Sequence, residues 1–230
     1  MPDEFLSVPL TLNAHAAELQ SLLAVAVPEA VRAAHTIPGQ YVKVGLPDFK
    51  TGYFVIANSP GSDQFEFLIK ESSPLTAYLR TLPVGSEISI SAPLGKGFPM
   101  GEAVGKDVLL LAAGSGIAAV RPVLLDLLRE RERYGRIRLL YGERNPQRFA
   151  FGDELTEWED GGVECHRCVS QPSADAPELA RGYVQDLLRA LNPVSRNTVG
   201  YLSGMEAMLV ACKETFEELG GDPAVLHTNF

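Results

Sequence analysis

Five apolar residues, Val108-Leu109-Leu110-Leu111-Ala112, run into Ala113-Gly114-Ser115-Gly116, and Ile117-Ala118-Ala119-Val120-Arg121-Pro122 follows. An apolar run of this length suits a central parallel strand covered on both faces. Gly114 and Gly116 permit a tight turn and close backbone approach. A helix starting just after them would aim its unpaired N–H groups and positive dipole end at an anion. The third glycine of a G-x-G-x-x-G pattern falls at Ala119, which the looser form of that fingerprint allows. The junction therefore predicts a phosphate-binding strand, turn and helix inside an α/β sheet.

About a hundred residues of different texture precede it. From Leu6 to about Pro99 short extended runs alternate with Pro and Gly: Leu6–Leu12, Gln20–Val27, Tyr41–Leu46, Tyr53–Asn58, Phe65–Ile69 and Glu87–Ala92. This spacing predicts an antiparallel β-barrel. A short helix is expected at Ser73 to Arg80, with Ser73 as cap and Pro74 in its first turn. Beyond Gly101 strands alternate with helices. Strands are expected at Val108–Ala112, Ile137–Tyr141, Val163–Val169, Thr198–Ser203 and the extended Val225–Phe230. Helices are expected at Ala118–Tyr134, Asp153–Trp158, Gly182–Leu191 and Glu206–Leu219. That order predicts a doubly wound parallel sheet. The fold class expected is β + α/β, with domains at residues 1–102 and 103–230.

Composition narrows the partners. A net charge of −9 and the absence of any Lys/Arg cluster argue against nucleic acid. No basic, apolar leader opens the chain and no apolar run reaches membrane-spanning length, so a soluble, cytoplasmic protein is expected; a plastid protein with its transit peptide removed is the alternative. Three cysteines suit a reducing compartment. Cys165-His166-Arg167-Cys168 forms C-x-x-C, but on a strand positions three apart face opposite sides, and no metal is expected. His35, His166 and His227 are scattered, His15 lies in a turn-like Asn13-Ala14-His15, and no G-x-S-x-G elbow occurs.

Seven local patterns then fall in one order. They are Gly39-Gln40-Tyr41, Tyr53 to Pro60, Glu71 to Leu79, Gly95-Lys96-Gly97-Phe98, Gly114 to Ala118, Tyr141 to Asn145, and Leu202-Ser203-Gly204-Met205-Glu206-Ala207-Met208. Together they resemble the ferredoxin–NADP reductase superfamily over nearly the whole chain, in a small reductase-like branch ending in Asn-Phe, here Asn229-Phe230. The resemblance implies an FAD-binding barrel over residues 1–102 and an NAD(P)-binding domain over 103–230. Its implied cofactors are FAD and NADH or NADPH.

Flavin-side positions implied by the resemblance are Tyr53, Phe54, Val55, Ile56, Ala57, Ile69, Lys70, Leu75 and Thr76. Nicotinamide-side positions are Gly114, Ser115, Gly116, Ile117, Arg144, Asn145, Ser203, Gly204 and Met205. Val55 and Ser203 stand at the family's two hydride-transfer positions, and Phe230 at that of the aromatic residue covering the flavin; core packing of Phe230 is the competing reading. Four departures matter. The family's arginine at the flavin pyrophosphate falls at Gly52, its tyrosine at Phe54, its serine near flavin N5 at Val55, and its cysteine beside the nicotinamide at Ser203. Lys70 is a candidate replacement for the missing arginine. Arg144 suits an adenosine 2′-phosphate, whereas Glu143 beside it would disfavour one, so the balance leans to NADH.

The expected activity is transfer of a hydride from NAD(P)H to FAD, with electrons passed to a protein or small-molecule acceptor. The missing flavin-strand groups keep two other roles open: a non-catalytic NAD(H) sensor with weak or lost FAD binding, or an electron-transfer subunit of a larger complex. Oligomeric state is not written in the sequence.

Overall fold

A computed structural model describes residues 5–229, and their strands fall into two sheets of six. The first contains β1 (Leu6–Ala17), β2 (Gln20–Ala26), β3 (Tyr41–Gly45), β4 (Gly52–Val55), β5 (Gln64–Lys70) and β6 (Glu87–Ile90), in the order β4-β3-β6-β1-β2-β5. All its pairings are antiparallel. Its two edges meet just past β4, where Ala57 N–H donates to Glu66 C=O at 2.8 Å and the Asn58 amide bonds Gln64 C=O and Glu66 N–H. The sheet is thus curled and barrel-like. Alternate side chains of its strands, among them Val8, Leu10, Leu23, Val25, Val42, Val44, Phe65 and Phe67, fill the interior.

The second sheet is parallel throughout, in the order β10-β9-β8-β7-β11-β12. Its strands are β7 (Asp107–Ala113), β8 (Ile137–Glu143), β9 (Val163–Val169), β10 (Ala180–Arg181), β11 (Thr198–Ser203) and β12 (Leu226–Thr228). Alternation sorts their side chains between two faces. Val108, Leu110, Leu139, Tyr141 and Tyr201 pack with α3 (Ile117–Arg129) and α4 (Gly152–Asp160), while Leu109, Leu111, Leu140 and Leu202 pack with α5 (Val184–Leu191) and α6 (Glu206–Glu218). Each fully buried leucine contributes about 2 kcal/mol. Ala57, Leu68 and Phe98 of the barrel join the core on the α3 side, so α3 packs against both sheets.

Several elements differ from the sequence expectation. Asn13-Ala14-His15 is not a turn: β1 runs on to Ala17, because the Asn13 amide is satisfied outside the strand by the carbonyls of Leu79, Arg80 and Leu82. The helix expected to reach Tyr134 stops at Arg129, and a 3₁₀ turn over Arg131–Arg133 follows, with the Arg131 guanidinium donating to the carbonyls of Tyr134 and Gly135. Helix α5 starts at Val184, since Gly182 sits at φ +128° and Asp186 accepts the Tyr183 N–H at 2.8 Å. The short α1 (Glu29–Arg32) and β10 had no counterpart in the sequence reading, and α2 (Pro74–Leu79) lies where a helix was expected. Cys165 and Cys168 do face opposite sides of β9, one toward each core. No helix among the described residues is long and apolar enough to cross a membrane.

Candidate active site

In the second sheet the strand order reverses at β7, with β8 on one side and β11 on the other. Open α/β sheets receive ligands at the carboxyl ends of strands at such a reversal. Here those ends face β4 of the barrel across a cleft of about 920 Å³. Ala113 to Gly116, Gly142 to Arg144 and Ser203 to Met205 line it from the parallel sheet, and Tyr53, Phe54, Val55, Leu68 and Lys70 line it from the barrel.

The glycine turn is fixed by sterics. Gly114 adopts φ +59°, which favours glycine. Gly116 has an ordinary φ, but a Cβ on it would lie 2.2 Å from the Ser203 carbonyl oxygen and 2.8 Å from Gly204 N. Only glycine lets this turn close against the end of β11. No side chain caps the start of α3; the Ile117 N–H is taken by the carbonyls of the preceding 3₁₀ turn, so the helix's positive dipole end reaches an anion through the backbone of Gly114–Gly116.

The two sheets contribute opposite charges at the cleft floor. From β5, the Lys70 Nζ reaches to 3.5 Å from where a Cβ on Gly114 would lie, so the ammonium stands at the glycine turn. Glu143 is buried, and its carboxylate accepts from Gln20 Nε2, the Tyr141 hydroxyl and Arg144 N–H, each at 3.3 Å. Burial raises its pKa above the usual carboxylate value, while these hydrogen bonds and the Lys70 ammonium pull it down. Glu143 and Arg144 thus line the same cleft, the carboxylate hydrogen-bonded at its floor. The carboxylate is buried there, whereas the Arg144 side chain is exposed, its Nε donating to Gln171 Oε1 at 3.0 Å.

The structure brings Tyr53, Phe54, Val55, Lys70 and Thr76 to the same cleft as Gly114, Ser115, Gly116, Arg144, Ser203, Gly204 and Met205. It places other expected residues elsewhere. Ile56, Ile69 and Leu75 fill the barrel, while Ala57 and Ile117 are buried where α3 packs. The Asn145 amide donates to Glu18 Oε2 at 2.9 Å, an oxygen it shares with Arg148 Nε. Phe230 lies outside the described residues; Asn229 before it donates to Gly39 C=O at 2.9 Å. Tyr183 and Gln185 also line the cleft and were missed. Tyr183 is 60% exposed at the start of α5, and the Tyr183-to-Asp186 spacing of a capping box was the signal available.

The residues suit two ligands. Phe54, Val55 and Leu68 offer an apolar wall for a flat ring, and the uncapped α3 start with Lys70 and Arg144 offers donors and positive charge for phosphates. A barrel-like sheet and a nucleotide-type parallel sheet meeting at such a cleft define the two-domain architecture of ferredoxin–NADP reductase-type proteins.

Comparison with known proteins agrees. Residues 110–214, which lie in the parallel-sheet half, match the family described as the oxidoreductase NAD-binding domain. It is 30% identical to the sulfhydrogenase 1 subunit gamma of Pyrococcus furiosus, over 79% of this chain and 62% of that protein. It is 36% identical to the phenol 2-monooxygenase reductase component DmpP of a Pseudomonas species, over 46% of this chain and 31% of that one. The chain thus spans less than two thirds of either relative. A ferredoxin NADP+ reductase from Neisseria gonorrhoeae, solved with bound FAD and NADP, superposes with a TM-score of 0.82 at 18% identity, covering 98% of this chain and 99% of that one.

Proposed function

We propose that this chain is an NAD(P)H-dependent flavin oxidoreductase. One observation carries the reading: a cleft in which the apolar strand Tyr53–Val55 faces the turn Gly114–Gly116 and the strand end Ser203–Met205. On this reading the α3 start and Lys70 hold the pyrophosphate of the nicotinamide nucleotide, and Arg144 its adenosine end. Ser203 and Gly204 position the nicotinamide. Phe54, Val55 and Leu68 hold the flavin ring and exclude water from the exchange. When bound, the flavin supplies the chemistry, since it accepts two electrons as a hydride and can release them singly. Residues 1–102 serve the flavin and 103–230 the nucleotide, and the electrons leave to a protein or small-molecule acceptor.

A second reading makes the chain an electron-transfer subunit of a larger assembly. It is favoured by the similarity to a protein named as the gamma subunit of a sulfhydrogenase. A third, an NAD(H) sensor, is favoured by Gly52, Phe54 and Val55 at positions where the family carries polar groups.

The deciding experiment adds NADH or NADPH anaerobically to the protein with supplied flavin and follows the visible flavin absorbance. Bleaching supports the reductase and subunit readings, and turnover with a small artificial acceptor then separates them. Nucleotide binding without bleaching leaves the sensor.

A further inference from the structure

The two halves of a dinucleotide flavin meet different surfaces on the barrel. Its ring would face Phe54, Val55 and Leu68, which are apolar and partly or fully buried. Its pyrophosphate would need donors from β4 and from the start of α2, where Gly52 gives no side chain and the N–H groups of Ser72, Ser73 and Thr76 are bonded within the protein.

Gly52 offers no side chain, and the space beside it is already filled. A Cβ there would lie 2.6 Å from Phe54 Cε2 and 3.0 Å from Leu75 Cδ2. At α2, the N–H groups of Ser72 and Ser73 both donate to Thr76 Oγ1 at 2.9 Å, Thr76 N–H donates to Ser73 Oγ at 3.2 Å, and the Thr76 hydroxyl donates to Ser73 C=O. Pro74, the first helical residue, has no N–H to give. Arg80, which follows this helix, is held by Glu71 and by Ser21. Lys70 is the one cation the barrel contributes to the cleft among the described residues, and its ammonium stands at Gly114, on the nicotinamide-nucleotide side.

We propose that this protein grips a flavin by its ring alone, so that flavin exchanges between turnovers as a substrate, and FMN and riboflavin are accepted as readily as FAD. This rests on the reductase reading and deepens it. The reaction balances without a further redox partner. The C4–H bond of the reduced nicotinamide breaks with both its electrons, an N–H bond forms at flavin N5, and water supplies the second proton. The nicotinamide is oxidised and the flavin reduced by two electrons.

The test uses the full chain after desalting. Kd values for FAD, FMN and riboflavin are measured by quenching of flavin fluorescence, and NADH and NADPH oxidation in air is followed against added flavin. The expected result is three Kd values within about threefold of one another, a desalted protein without colour, and turnover that saturates with riboflavin. FAD retained through desalting, or bound more than about thirtyfold tighter than riboflavin, overturns the inference and leaves the reductase reading standing. Failure to bind any of the three overturns both. The double substitution Gly52→Arg with Phe54→Ala clears the ring and supplies a guanidinium, and should raise the preference for FAD over riboflavin about tenfold.

Discussion

Arg121 of α3 reaches across from the nucleotide side to Glu66 of β5, its Nη1 lying 2.7 Å from Glu66 Oε2. The same nitrogen donates to Ala57 C=O at 2.8 Å, just beyond the strand that walls the cleft. Its Nε pairs with Glu154 at 2.7 Å, and the guanidinium sits 4.7 Å from the centre of the Phe151 ring. Side-chain exposures of 12% for Arg121 and 18% for Glu66 place this junction largely out of water. A planar fork with several fixed donors can meet all these partners at once, whereas an ammonium cannot.

Arg121→Ala should therefore cost about 3 kcal/mol, because it strands two carboxylates that would stay largely buried. Arg121→Lys should recover only part of that. Urea unfolding of the three proteins checks the order. A loss under about 0.5 kcal/mol for the alanine variant would show that the junction does not hold the two sheets together.

Gly116→Ala tests the other contact that shapes the cleft. The added methyl would lie 2.2 Å from a backbone oxygen of β11, which cannot rotate away, so the turn and the strand end must separate. Nucleotide affinity should fall about tenfold or more, with a stability loss of about 1–3 kcal/mol. Gly101→Ala is the control, since nothing lies within 4 Å of its Cβ position and its φ is not positive. Calorimetric titration with NADH and NADPH reads the difference.

These contacts separate what was legible in the sequence from what was not. Apolar periodicity and the Gly114–Gly116 turn fixed the parallel sheet and its cleft, since both follow from local spacing. Gly116 read as a residue permitting a tight turn and close backbone approach, and the backbone that approaches it is that of Ser203, a partner 87 positions away that no local pattern names. Glu143 and Arg144 are adjacent in sequence and line one cleft, yet the first is buried and the second exposed. Their separation depends on Gln20 and Tyr141 receiving the carboxylate inside. Arg121 read only as part of a helix start, because its partners lie in another sheet and another helix.

His35 should make stability depend on pH. Its ring is buried at 4% exposure, edge-on to Phe65, and burial lowers its pKa from 6.5 to about 4. Between those values the unfolded chain binds the proton and the folded chain does not, so stability falls as pH drops from 6.5 to about 4. The loss should be about 3 kcal/mol. His35→Leu should remove that part of the slope while leaving the slope from the carboxylates. Urea midpoints at several pH values between 4 and 7.5 would show it, and parallel curves for the two proteins would refute it.

Arg144 should decide between the two nicotinamide coenzymes. Its guanidinium stands past the end of β8, tethered through Nε to Gln171, and the neighbouring carboxylate is engaged by Gln20, Tyr141 and the Arg144 N–H. That leaves the two terminal nitrogens of the guanidinium for a 2′-phosphate. Arg144→Ala should raise KM for NADPH about tenfold and KM for NADH less than about twofold, with kcat nearly unchanged, since the contact is made equally before and during the reaction. Glu143→Gln, which keeps the inward hydrogen bonds and removes only the charge, should leave that ratio nearly unmoved. If Glu143→Gln instead lowered the KM for NADPH as strongly as Arg144→Ala raised it, the carboxylate would act on the phosphate after all.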